Sequence, residues 1–168
     1  MNERRIPQER NNLYSTELLS KETWPKYKDQ ITELLIDCFP QHNFSPKFVE
    51  SIFTKTFAND VIVLLRAEDG KVIGLTQAHI YTQQPDTANI GMTGIATAKR
   101  GQKLVGVLME KMEEELRGRG VTIILRQSRI ADGYADAIER HYKDRVLEKN
   151  DDDIAKSPDP KRNFKIRL

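Results

Sequence analysis

The chain has 168 residues, 38% of them apolar and 31% charged, with 27 basic against 25 acidic side chains, the make-up of one soluble domain whose core needs no metal or disulfide staple. A single cysteine, Cys38, excludes an intramolecular bridge and a cysteine metal cluster and suits a reducing compartment, and the three histidines, His42, His79 and His141, are too dispersed for a metal-ligand motif. A net charge of +2 with acids and bases interleaved is too mild for a nucleic-acid surface; residues 1–10 are polar where an export signal is apolar, no apolar run approaches the ~18 residues of a membrane span, and the expected location is cytoplasmic.

After a flexible polar arm over residues 1–12, residues 13–19 read as a first strand, opening a domain that runs to residue 168. Tyr27, Ile31, Leu34, Leu35, Cys38 and Phe39 recur at helical spacing until Pro40 stops the helix. Ser45 and Pro46 supply an N-cap and a first-turn proline for a second amphipathic helix carrying Phe48, Val49, Ile52, Phe53 and Phe57. The period then changes. Residues 61–65 are continuous and mostly β-branched, Asp69 and Gly70 signal a hairpin, and residues 72–81 resume extended structure. Gln84, Pro85 and Asp86 read as a second turn before a strand over residues 88–97, where Gly91 and Gly94 suggest a bulge or a close backbone approach.

A long helix is expected from about Lys103, with Leu104, Val107, Leu108, Met112 and Leu116 on one face and a left-handed cap at Gly118 or Gly120. Its acidic run, Glu113, Glu114 and Glu115, reads as a solvated face. Residues 121–125 form a buried-type strand, residues 126–133 a long connection, residues 135–145 a helix, and residues 163–168 a terminal strand after loop chemistry at residues 150–160. This order implies an α/β (α+β) three-layer fold, a mixed and mostly antiparallel sheet flanked by helices.

The most informative stretch is the strand-to-helix junction from Ile90 to Leu108. A short basic loop with glycine opens an amphipathic helix, so backbone amides and the positive end of the helix dipole converge where a pyrophosphate can sit. In this junction and in element order, the chain resembles the GCN5-related N-acetyltransferase (GNAT) superfamily over nearly its whole length. Ile95 is similar to the aliphatic residue that ends the family's strand, and the loop beginning at Arg100 resembles its Arg/Gln-x-x-Gly-x-Gly/Ala motif, departing from it at Lys103 and Val105. The resemblance implies acetyl-CoA as cosubstrate, with the pyrophosphate on Arg100, Gly101, Gln102, Lys103, Leu104, Val105 and Gly106 and the pantetheine and thioester beside Thr93, Gly94, Ile95 and Ala96.

Near the C-terminus, residues 137–144 look like the helical segment from which that family presents a tyrosine to the coenzyme A sulfur. Tyr142 is accordingly the candidate acid for the departing thiolate, with Tyr134 and His141 as fallbacks, and His79 is the candidate base for the amine. The expected activity is direct acetyl transfer from acetyl-CoA to a primary amine in a ternary complex, without a metal, nucleic acid or membrane and compatible with a homodimer. Two alternatives stand beside it: a catalytically degenerate CoA-binding sensor or interaction module, and an acyltransferase using another acyl-CoA. No Ser/His/Asp order or Walker loop supports a hydrolase or kinase.

Overall fold

The computed structural model describes residues 13–131, 133–153 and 155–168; the arm expected at residues 1–12 lies outside them. Their elements run β1 (Tyr14–Leu18), α1 (Trp24–Cys38), α2 (Pro46–Thr56), β2 (Asp60–Ala67), β3 (Val72–Tyr81), β4 (Gln84–Ile95), α3 (Leu104–Gly118), β5 (Ile123–Arg129), α4 (Tyr134–Tyr142), β6 (Val146–Asp151) and β7 (Lys161–Arg167). The strands make one sheet in the order β1-β2-β3-β4-β5-β7-β6, antiparallel throughout except for β4 against β5.

Alternation along β2 assigns the two faces of the sheet. Val61, Val63 and Leu65 pack with Leu104, Leu108, Met112 and Leu116 of α3 and with Ala135, Ile138 and Tyr142 of α4. Ile62 and Leu64 pack instead with Trp24, Tyr27, Ile31 and Leu35 of α1 and with Val49 and Phe53 of α2. These are the three layers the element order implied. Among the described residues no helix is long and apolar enough to cross a membrane.

Local chemistry explains most boundaries. The Ser45 hydroxyl accepts from the Phe48 amide at 3.2 Å and Pro46 opens α2, while the hairpin at Asp69 and Gly70 closes through the Gly70 amide donating to the Ala67 carbonyl. Four expectations are corrected. Gln84, Pro85 and Asp86 begin β4 rather than turn, because the reversal is made at Thr82 and Gln83 and Tyr81 pairs with Gln84. Pro85 is tolerated there because β5 begins to pair only at Thr87, so no ladder donor is needed. The strand expected over residues 121–125 continues to Arg129, which shortens the following connection to residues 130–133. The loop expected from residue 150 begins only after Asp151, because residues 146–151 form the edge strand β6, paired only with β7; charge on an edge blunts further strand pairing.

Glu113 is buried on the inward face of α3 rather than solvated as its acidic run suggested. Its Oε2 accepts from Arg117 at 3.0 Å and from Arg145 at 3.1 Å, tying α3 to the turn after α4. On the other side of α4, Arg162 of β7 donates to both oxygens of Asp151, at 2.6 and 3.0 Å, and reaches Asp136 and Glu139 at 3.1 Å each. That contact holds the Asp151 carboxyl below its usual range. Both clusters fix α4 and its C-terminal tyrosine.

Candidate active site

The site begins where the sheet comes apart. β4 and β5 are paired only from Thr87 with Ile123 to Ile90 with Arg126, although β4 continues to Ile95 and β5 to Arg129. On its other edge β4 follows β3, but Thr76 faces Thr93 while Ala78 faces Ile90, so β4 carries one extra residue around Gly91 and Met92. This bulge is the one suggested by Gly91, and the added local twist swings the rest of β4 away from β5. The edge of β4 beyond it has no strand partner on the β5 side, which leaves peptide groups there available to an extended ligand.

A cleft of about 1450 Å³ fills this opening, above the roughly 300–1,000 Å³ of a site for one small molecule. Thr93, Gly94, Ile95, Arg100, Gly101, Lys103, Leu104 and Val105 line it, whereas Ala96, Gln102 and Gly106 do not. The Gln102 side chain accepts instead from the Tyr14 hydroxyl at 2.7 Å, and the Gly106 amide donates to the Lys103 carbonyl at 3.2 Å. Arg100 is partly structural, for its Nε donates to the Ile95 carbonyl at 3.1 Å. Among the described residues the amides of Gly101, Gln102 and Lys103 have no backbone acceptor. The amides of Leu104 and Val105, the first two of α3, lack one by the geometry of any helix start.

Gly94 has a different reason from the one its sequence context suggested. A Cβ there would stand 2.9 Å from Cys38 Sγ and 3.3 Å from Phe39 Cε2, so the glycine lets the end of α1 press onto β4. Gly94→Val is expected to destabilise the fold by about 1–3 kcal/mol through overpacking, read as a lower denaturation midpoint at unchanged m. Lys103, at the N-cap of α3, has φ +60, which explains why a glycine suits that position. Lys103→Gly should therefore raise stability by up to about 1 kcal/mol through relief of left-handed strain, with a thermal melt as the measurement.

Tyr142 is 2% exposed and does not line the cleft, but two residues that do, Ile138 and Arg126, are its neighbours: one four positions earlier on α4, the other acting electrostatically on the phenol. Burial pushes the hydroxyl up to about 12, with Arg126 pulling down and Glu113 pushing up from close by, but neither is placed to complete a hydrogen bond to the buried oxygen within 3.5 Å. Tyr134, at the other end of α4, lines the cleft and is 55% exposed. His141 lies outside it, against the Tyr142 ring and 3.9 Å from Glu113.

His79 is not in the cleft either. It pairs through Nδ1 with buried Asp60 at 2.7 Å, and Gln77 donates to the same carboxylate. The histidine that lines the cleft is His42, in the turn after α1, beside Cys38, Phe39 and Gln41. Sequence reasoning missed it because a histidine between Pro40 and Pro46 reads as loop. Its edge-on contact with Phe39 and its tilted contact with Phe44 depend on packing across that turn.

The profile of the acetyltransferase (GNAT) family matches residues 28–142. The chain belongs to that family. No curated protein matches its sequence. Among solved structures, an aminoglycoside 6'-acetyltransferase type Ii is similar with a TM-score of 0.71 at 16% identity, over 91% of this chain and 96% of that one. The ribosomal-protein-S18-alanine N-acetyltransferase from Escherichia coli gives 0.67 at 15% identity, over 93% and 94%. A PaiA N-acetyltransferase from Thermoplasma acidophilum in complex with coenzyme A gives 0.62 at 12% identity, over 92% and 99%. At these identities the three share the GNAT fold with this chain.

Proposed function

We propose that this GNAT protein is an N-acetyltransferase that moves an acetyl group from acetyl-CoA to a primary amine by direct attack in a ternary complex. The observation that carries the reading is the interruption of the β4–β5 ladder after Ile90 and Arg126, next to the bare amides at the start of α3. The orphaned, buried Tyr142 hydroxyl beside this opening fits the same ligand, since a buried phenol is normally hydrogen-bonded. Two of the similar structures, an aminoglycoside 6'-N-acetyltransferase and the Thermoplasma protein, are complexes with coenzyme A.

Acetyl-CoA supplies an acyl group activated as a thioester. In this reading the amides of Gly101, Lys103, Leu104 and Val105 hold the pyrophosphate at the positive end of the α3 dipole, and the free edge of β4 from Thr93 to Ile95 aligns the pantetheine. The amine nitrogen attacks the carbonyl carbon, the carbon–sulfur bond breaks, and the Tyr142 hydroxyl gives its proton to the departing sulfur. A phenol raised to about 12 is fully protonated at neutral pH and so able to donate. The proton lost by the amine goes to water or to His42, because His79 is engaged by Asp60 away from the cleft. Cys38 also lines the cleft, but burial pushes its thiol up. A protonated thiol is a poor nucleophile, which favours direct transfer over an acyl-cysteine.

Isothermal calorimetry with acetyl-CoA, CoA and longer acyl-CoAs, followed by thiol-release assays over an amine library, tests this reading. Acetyl-CoA should bind and thiol release should need an amine. Absence of binding to any acyl-CoA sinks it, and tighter binding of a longer acyl-CoA replaces the donor.

A further inference from the structure

The sheet beyond the splay has two unlike faces. Ile124, Phe164 and Ile166 point to the α3 and α4 side, so Gln127, Arg129, Lys161, Asn163 and Lys165, which alternate with that set, point to the α1 and α2 side, where they line the cleft. This wall is almost wholly polar, and its hydrogen bonds are largely spent. Gln127 donates to Asn163 at 2.8 Å, and Asn163 donates to Asn150 and Asp152 at 3.2 Å each.

The charges on this wall are unbalanced in one direction. Two carboxylates line it, Glu148 and Asp159, and both are taken: Lys165 lies 3.0 Å from Glu148 and Arg129 lies 2.9 Å from Asp159. Among the described residues the Lys161 ammonium has no carboxylate at ion-pair distance, although the Lys161 amide donates to Asp152 at 3.0 Å; Arg126, in step with Ile124, lies on the other face beside neutral Tyr142. A second ammonium on the acceptor would meet one open cation on this wall, Lys161, and no unpaired carboxylate among those that line it. A carboxylate on the acceptor would meet Lys161 at the outer end of the cleft, with the amine directed inward toward the β4–β5 opening.

We infer that the acceptor is an aminocarboxylate, a primary amine that carries a carboxylate, and that Lys161 is the residue selecting it over polycationic amines. The inference rests on the acetyltransferase reading above and is separable from it. The test compares ω-aminohexanoate, its carboxamide and diaminohexane, together with a panel of α-amino acids and spermidine. It uses kcat/KM by thiol release and, independently of turnover, binding of each amine to the protein saturated with CoA. Aminocarboxylates should be preferred over the diamine of equal length by about tenfold, with the carboxamide between them, as expected for one partly exposed charge pair.

Lys161→Met should remove most of that preference and Lys161→Glu should reverse it, while acetyl-CoA affinity stays at the wild-type value in both. Equal or better use of diaminohexane or spermidine, no carboxylate preference in binding, or a preference that survives Lys161→Glu overturns the inference while leaving an acetyltransferase. Failure of acetyl-CoA itself to bind instead removes the reading on which it rests.

Discussion

Tyr142→Phe is expected to lower kcat by roughly tenfold to a thousandfold, the range of a lost general acid, with acetyl-CoA affinity nearly unchanged. The ring and its place among Ile138, Phe164 and Ile166 are retained, and what goes is a hydroxyl that is buried without a partner. Removing such a group relieves a desolvation penalty, so the variant should melt at the wild-type temperature or above it, and lost activity cannot be assigned to unfolding. Stability against pH adds a second reading of the same group. With the folded phenol near 12 against an ordinary 10, the folded chain keeps a proton that the unfolded chain loses as pH rises. The contribution of this group is therefore flat below about pH 10 and falls by roughly 2–3 kcal/mol as pH climbs toward 12, a component the phenylalanine variant should lack. Tyr134→Phe is the control: if it, and not Tyr142→Phe, abolishes turnover, the cleft-lining tyrosine at the start of α4 is the acid.

Val105→Glu is expected to weaken acetyl-CoA binding by at least about tenfold. Val105 is exposed at the first turn of α3 and lines the cleft, so a carboxylate there opposes a pyrophosphate held by the same amides. An acid in the first turn of a helix is favourable to the helix itself, by about 0.3–1 kcal/mol. Affinity and stability should thus move in opposite directions, which no general loosening of the fold would produce. Unchanged affinity by calorimetry would place the pyrophosphate away from α3.

The parts of the fold legible in the sequence were those written in local chemistry. Ser45 with Pro46, the hairpin at Gly70 and the apolar stripe from Leu104 to Leu116 each carry their own instruction, and each element appears where expected. β6 and the second half of β5 were not legible because their residues are polar for tertiary reasons: one strand is an edge and the other borders the cleft. Around the cleft, the loop bearing Gly101 and Lys103 before α3 was readable from its sequence, as was a bulge at Gly91. The meaning of Gly94 was not, because the obstacle to a side chain there is Cys38, distant in sequence. Nor could the sequence tell that His79 would be claimed by Asp60, or that His42 would arrive in its stead beside the cleft; those are facts of strand register and of one short turn.

The four residue pairs that join β4 to β5 have a dynamic consequence. The strands up to β4 close onto one another by short hairpins, apart from the helical excursion after β1, whereas the last three strands communicate with them through those few bonds and through α3. Such a seam is where sub-global opening is cheapest. Without a ligand, the amides of Thr93 and Ile95, which alternate toward the gap while those of Gly94 and Ala96 turn to β3, should exchange with solvent deuterium faster than amides in the middle of β2. A pantetheine arm lying along that edge would slow this exchange, and by bridging the seam it would also slow amides in β5 and β7 that it never touches. Protection spreading to β7 would mark the two portions of the sheet as one cooperative unit only when the cleft is filled.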